Sequence, residues 1–388
     1  MSVTIPTGAP AGTDFAGQPL WHVATAAPGA EVRLVLYAES AHGAEDFAPV
    51  MALRKSADAG GQVPFRLDAL LWPLLRPFVL PAATPQVTVR CTANLLNYFV
   101  TTQVLGQPDV VTGPLRTALR GSLPAEWRGL DYWDAYRLDR FGTPPFLSWQ
   151  PTGAGRPLGL SKRITAQQPE WLFWLCPPGT PAQLRVRRSY TTSGGVVVQD
   201  EAVTLTGERG TTGQLLALPA RPAAVAGAQQ LTVALESSQG EALSALARFE
   251  LVPAREQTRY LVFTNSLGTC DTLRCEGKLD ATLEAKTEQT ERPDRFGDGP
   301  GQATRQVYTL DASRKLRLAT GWLTAAELAW LQELLLAREA WLLDARLGLL
   351  PLELTKRSLN YVSDDTPLRG LLIECDYAYE PTAYANPL

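Results

Sequence analysis

The chain has 388 residues, 45% of them apolar and 19% charged, with 36 Lys and Arg against 39 Asp and Glu for a net charge of −3. That balance excludes a largely disordered chain, and the lack of a long basic run removes the counterion-release drive for nucleic-acid binding. No stretch of about 18 apolar residues is present to span a bilayer. Met1 to Pro10 lacks the basic and apolar regions of a secretory signal, so synthesis in the cytoplasm without a signal peptide is expected.

Residues 31–37 alternate, with Val32, Leu34 and Leu36 on one side, and residues 87–104 form a β-branched and aromatic run; both read as strands. Between them lie a Gly60-Gly61 turn, a strand-like stretch at 63–67, and the apolar knot Leu70, Leu71, Trp72, Leu74 and Leu75, interrupted by Pro73 and closed by Pro77. Residues 1–106 therefore read as a small N-terminal β-sandwich with one helical turn at an edge. Residues 107–150 are rich in Gly, Pro and aromatic side chains and read as a connector folded onto its neighbours, because solvated linkers do not carry so many Trp and Tyr.

A second β unit is expected at 151–254, with strands over 171–176, 183–190, 196–205, 214–218, 230–235 and 245–252. Turn signals such as Ser193-Gly194-Gly195 and Ser238-Gln239-Gly240 separate them. Short strands at this spacing predict an immunoglobulin-like or fibronectin-like sandwich, giving a mainly β chain with two tandem sandwich domains before its last unit.

The last unit, 255–388, opens with an apolar strand at 259–263; stretches 272–292 and 302–318 then flank a turn-rich centre as a long hairpin. Its distal segment carries Glu284, Lys286, Glu288, Glu291 and Arg292 and reads as polar on both faces, so it is predicted to project as an assembly ribbon. Thr324-Ala-Ala-Glu327 is a capping box, and Leu323 with Leu328 forms a hydrophobic staple. Leu328, Leu331 and Leu335, widened by Trp330 and Leu334, predict a helix of about four turns docked on a sheet. Closing strands are expected at 349–354 and 371–379, in the order hairpin, helix, strand, strand.

Few residues point to chemistry. The two histidines, His22 and His42, lie near the N-terminus without a set of metal ligands around them. Cys91, Cys176, Cys270, Cys275 and Cys375 are an odd, scattered set that fits reduced core thiols; Cys270 and Cys275, five apart on a strand, face opposite sides. No nucleophile elbow or phosphate-binding loop occurs, and Asp294 and Asp298 in the hairpin tip lack the order of a calcium loop. No cofactor, metal or catalytic residue is assigned, and the chain is not expected to be an enzyme.

The segment holding Asp131, Trp133, Asp134 and Tyr136 is the one ambiguous constellation. Carboxylates among aromatic rings suit a sugar-binding cleft, or a catalytic pair at Asp131 and Asp134. Interleaved Arg137 and Arg140 fit a salt-bridged interface segment equally. The preponderance of arginine over lysine suits interfaces and also follows from a GC-rich coding bias.

The run YLVFTNSLGTCDTLRCEGK, the polar ribbon ending in ER, GWLTAAELAWLQELL and the closing LRGLLIECDYAYEP resemble uncharacterised tail or baseplate-type structural proteins carried by prophages of Bacteroidota. The FLSWQP string around Trp149 resembles them more loosely. The resemblance implies a tail-tube-like β-sandwich for the last unit, with a long hairpin donated to a ring and one packed α-helix. It also implies a structural role in a virion or phage-like injection particle, with copies of itself and other tail or baseplate proteins as partners and no catalytic residues. The alternative expectation is a carbohydrate- or receptor-binding module that takes a surface glycan.

Overall fold

The computed structural model describes residues 4–8, 10–78, 87–122, 146–148, 161–177, 179–205, 213–221, 225–291, 305–344, 346–357 and 368–378. Strands dominate them, and none of the sheets closes. In chain order the first span forms β1 (Thr13–Phe15), β2 (Trp21–Thr25), β3 (Glu31–Ala38), β4 (Ala48–Ser56), β5 (Gln62–Arg66), a short helix α1 (Asp68–Leu71), β6 (Val89–Cys91), β7 (Leu95–Val104), β8 (Val110–Thr112) and β9 (Arg116–Leu119). The middle span forms β10 (Ser161–Ile164), β11 (Trp171–Leu175), β12 (Gln183–Thr192), β13 (Gly195–Thr204), β14 (Leu215–Pro219), β15 (Ala228–Ser237) and β16 (Ala247–Leu251). The last span forms β17 (Arg259–Thr264), β18 (Cys270–Cys275), β19 (Leu279–Glu291), β20 (Arg305–Thr324), helices α2 (Ala325–Trp330) and α3 (Gln332–Leu336), then β21 (Ala340–Asp344), β22 (Gly348–Leu354) and β23 (Leu368–Tyr377).

Alternation along β3 buries Val32, Leu34 and Leu36, which pack on Val63 and Phe65 of the β2–β5 ribbon. The sheet above that ribbon runs β1-β9-β7-β3-β4, with β8 beside β7. The run 87–104, expected as one strand, is two strands in two sheets. The chain breaks before β7, where buried Asn94 turns aside and donates its Nδ2 to the Gly268 carbonyl at 2.7 Å.

In the middle span a five-stranded sheet, β10-β16-β15-β12-β13, faces a three-stranded sheet, β11-β14-β6. β11 and β14 are buried throughout, as continuous apolar runs such as WLFWL require when both faces are covered. Leu172 and Trp174 of β11 pack toward the five-stranded sheet with Val186, Tyr190 and Phe249. Trp171, Phe173 and Leu175 point the other way, into a core that also takes Phe15, Leu95 and Leu119 from the first span and Val262, Leu267 and Cys270 from the last.

The last span is an antiparallel sheet ordered β18-β17-β21-β22-β23-β20-β19, curled around α2 and α3. The flank 272–292, expected as one strand, splits at Glu276 to Lys278 into β18 and β19, which lie at opposite edges of the sheet. The Glu276 amide reaches the Thr320 carbonyl at 3.4 Å, so the sheet bends toward closure without completing it. The helix expected at about four turns is two shorter pieces that meet at Leu331, and it is followed by three strands where two were expected. Just past the break Glu333, buried in α3, accepts the Ser266 amide at 2.7 Å and its hydroxyl at 3.0 Å.

Close backbone contact joins the first span to the last. Gly268 has φ +81, and a Cβ there would overlap the Arg120 carbonyl, so only glycine lets these chains pass. The Ser122 amide donates to the Ser266 carbonyl at 2.6 Å beside it. The middle and last spans meet through a buried polar cluster. Lys162 Nζ lies 2.6 Å from Glu170 Oε1 and 4.7 Å from the Trp330 ring centroid, and Trp330 Nε1 donates to Asp271 Oδ2 at 2.9 Å. Burial pushes the Glu170 carboxyl up, against the attraction of the Lys162 ammonium.

Candidate assembly surfaces

β20 pairs with β19 from Leu318 out to Arg305, whereas β23 covers it only from Thr324 to Lys315. The rows from Arg314 to Arg305 are therefore a two-stranded arm, roughly 30 Å long at about 3.4 Å per residue. Such a ribbon is marginal alone in water. Its ion pairs, Glu284 with Lys315 at 2.7 Å and Glu291 with Arg305 at 3.1 Å, join exposed groups, and pairs of that kind contribute little.

The arm is less uniformly polar than its β19 half suggests. Leu283 is exposed, and it shares an alternating set with Leu279, whose cross-strand partner Leu318 is buried in the core. Farther out, the register sets Leu310 opposite Thr287 and Val307 opposite Gln289. Lys286 and Glu288 stand opposite Asp311 and Thr309, and Arg292 lies outside the described residues. Asp131, Trp133, Asp134 and Tyr136 also lie outside them, as do Asp294 and Asp298.

Among the described residues, three strands of nine or more residues have a neighbour on one side only: β4 (9 residues) pairs with β3, β13 (10) with β12, and β19 (13) with β20. Each offers a row of unused backbone donors and acceptors. On β13, Val196, Val197 and Val198 are 63%, 42% and 43% exposed, and no Pro or Lys interrupts the strand. On β4, Val50 and Met51 are 39% and 46% exposed and are followed by Ala52, Leu53, Arg54 and Lys55. The sequence reading missed these edges, since three valines in a row suit a central strand as well as an edge. Its available signal was Arg54-Lys55, because basic residues commonly guard a free edge.

A crevice between β10, β18, β20 and α2 is lined by Lys162, Arg163, Arg274, Glu327 and two tryptophans, Trp322 and Trp330. Trp322 follows a bulge at Gly321, which has φ +76, and its cross-strand position is occupied by Gly370, so its ring stands exposed. The cations are matched: Lys162 by Glu170, Arg163 by Glu327 at 2.8 Å, and Arg274 by Glu276 at 3.4 Å. This arrangement ties α2 to β10 and leaves no surplus charge for a ligand.

The remaining polar candidates are built into the core. His42 is buried with its Nδ1 3.2 Å from Arg90 Nη2, and half-buried His22 sits on β2. All five cysteines are free and buried. Cys270 and Cys275 fall in different cores, on opposite faces of β18 as their spacing predicts. Burial pushes the Cys275 and Cys375 thiols up to about 12, which removes their thiolates near neutral pH. Among the described residues no group of three or more His, Cys, Asp or Glu is placed to hold a metal ion, and no helix is long and apolar enough to cross a membrane. Comparison of the chain with family models and with curated proteins gives no match.

Proposed function

We propose that this chain is a structural assembly subunit, binding copies of itself and neighbouring proteins through strand contacts within a phage tail, baseplate or phage-like injection particle. The observation that carries the reading is the arm of β19 and β20, which runs past its last supporting strand and holds Leu283 in solvent. An isolated monomer gains nothing from ordering such a ribbon, because fixing each residue costs about 1–2 kcal/mol of backbone entropy that only burial offsets. Burial against a neighbouring subunit supplies that compensation. The resemblance of residues 255–387 supports a tail or baseplate as the particle, with a ring as the form of the self-assembly.

The test removes the arm and spares its base. Replacing residues 286–311 by Asn-Gly joins the paired Ala285 and Ala312 through a two-residue hairpin turn. The full chain is expected to form a defined oligomer by light scattering, and the shortened chain to keep its melting temperature and become monomeric. An oligomer that survives the deletion, or a full chain that is monomeric at high concentration, overturns the proposal.

A further inference from the structure

We infer that the free edge of β4 in one copy pairs in parallel with the free edge of β13 in the next, making a second, head-to-tail contact between subunits. The inference deepens the assembly reading and rests on it for the partner being another copy of the chain. Its basis is the match between two half-apolar edges that carry charges of opposite sign. β4 carries Arg54 and Lys55, whereas β13 carries Asp200 and Glu201; the third long edge, β19, holds Asp280, Glu284, Glu288 and Glu291 against Lys286 and would repel β13.

The register follows from the residues. Setting Arg54 beside Asp200 in a parallel pair puts Met51 beside Val197, Ala52 beside Val198, Leu53 beside Gln199 and Lys55 beside Glu201. Apolar positions then meet apolar ones, and a basic pair meets an acidic pair. In the antiparallel arrangement that keeps Arg54 beside Asp200, Ser56 falls opposite Val198 and the exposed valines run past the end of β4. Pro49 lacks an N–H, so the parallel ladder begins after it, and the β4 bulge near Val50 lies outside the matched rows.

Side-chain alternation agrees with that register. Leu53 stands opposite buried Leu34, and Gln199 opposite buried Arg188, so these face their own sheets' interiors. Ala52, Arg54, Val198 and Asp200 occupy the outer faces, and the pairing sets outer against outer. Arg54 lies directly opposite Arg33, an unfavourable like-charge pair, and has no ion-pair partner among the described residues. Asp200 is held only loosely by Arg185, at 3.6 Å, while Arg185 is also bound to Glu236. Asp200 of a neighbouring copy thus supplies the counter-charge that Arg54 lacks. Glu201 already accepts from Thr88 and Arg188, so the Arg54–Asp200 row carries the specificity.

Because β4 and β13 are different surfaces, the contact is heterologous, and repetition generates a closed ring or an open filament. Covering both edges also protects the exposed valines of β13 from uncontrolled strand addition.

Cysteine cross-linking tests the register in the full chain, where the five native thiols are buried. Ala52→Cys and Val198→Cys are made in separate chains and mixed under mild oxidation. A disulfide between the two variants is expected, since in-register Cα atoms of neighbouring strands lie about 5 Å apart. Neither variant should cross-link to itself. Ala52→Cys with Ala202→Cys, four rows out of register and separated by about 13 Å, should not react. Arg54→Asp is expected to weaken association at least tenfold without changing the melting temperature, and Arg54→Lys to retain it. An oligomer that dissolves on arm deletion but gives no in-register disulfide, or gives the out-of-register one, overturns this contact and leaves the arm proposal standing. An in-register disulfide in a chain whose oligomer survives arm deletion overturns the arm proposal and leaves this contact standing.

Discussion

At the scale of single residues, His42 shows how burial turns an ordinary side chain into a pH liability. Its imidazole is enclosed beside the Arg90 guanidinium, and burial first, then the Arg90 charge, pushes it down from 6.5 to about 3. Between those values the unfolded chain holds a proton that the folded chain refuses, so stability is complete above about pH 6.5 and falls as the pH drops toward about 3. A single site gives a slope of at most about 1.4 kcal/mol per pH unit. His42→Asn, which has no such proton to gain, is expected to flatten that part of the stability curve by close to one proton equivalent. Denaturant melts of both proteins at about pH 7 and about pH 4 check this. Equal losses on acidification would show that His42 is protonated inside the fold.

At the scale of elements, the segment after β20 separates capping from docking. The Thr324 amide donates to Glu327 Oε2 at 2.7 Å, and the Glu327 amide donates to Thr324 Oγ1 at 3.3 Å, so the capping box is formed. Leu328, Leu331 and Leu334 are buried in the core under the curled sheet. Losing the cap hydroxyl in Thr324→Ala should cost about 0.5–2 kcal/mol, whereas Leu331→Ala leaves a cavity and should cost roughly 2–5 kcal/mol. Denaturant unfolding of the full chain compares them, and a smaller loss for Leu331→Ala would mean that the helices are not docked. The cap, the staple and the apolar stripe are all local patterns, which is why the start of α2 was legible in the sequence. The break at Leu331 was not, because Leu328, Leu331 and Leu334 keep one apolar stripe across it and nothing in that local pattern marks it. The same distinction holds elsewhere. The alternation of β3 announced a half-buried strand, but nothing local in Val196-Val197-Val198 marks β13 as a free edge. Of the expected ribbon, the hairpin itself was legible, while the pairing of Glu284 with Lys315 needed the register.

At the scale of the whole molecule, reading the spans as tandem units underestimates how they share a core. β6, from the first span, completes the three-stranded sheet of the middle span by pairing with β14. β11 then lies between one core facing the five-stranded sheet and another that draws on all three spans. Phe173, at its centre, is fully buried and packs edge-on against Phe78 at 5.1 Å; its carbonyl accepts the Leu147 amide at 2.7 Å, and its amide donates to the Ser148 hydroxyl at 3.1 Å. Phe173→Ala should therefore cost roughly 3–5 kcal/mol, the usual range for emptying a buried aromatic site. Because Leu95 and Val262 lose the same neighbour cluster, the loss should be felt by β7 and β17 together with β11, giving one cooperative transition in place of a separate melting of the middle span. Hydrogen exchange on the full chain distinguishes the two outcomes. Faster exchange of β7, β11 and β17 amides by a common factor is the expected result, and acceleration confined to β11 and β14 would show that each span folds on its own.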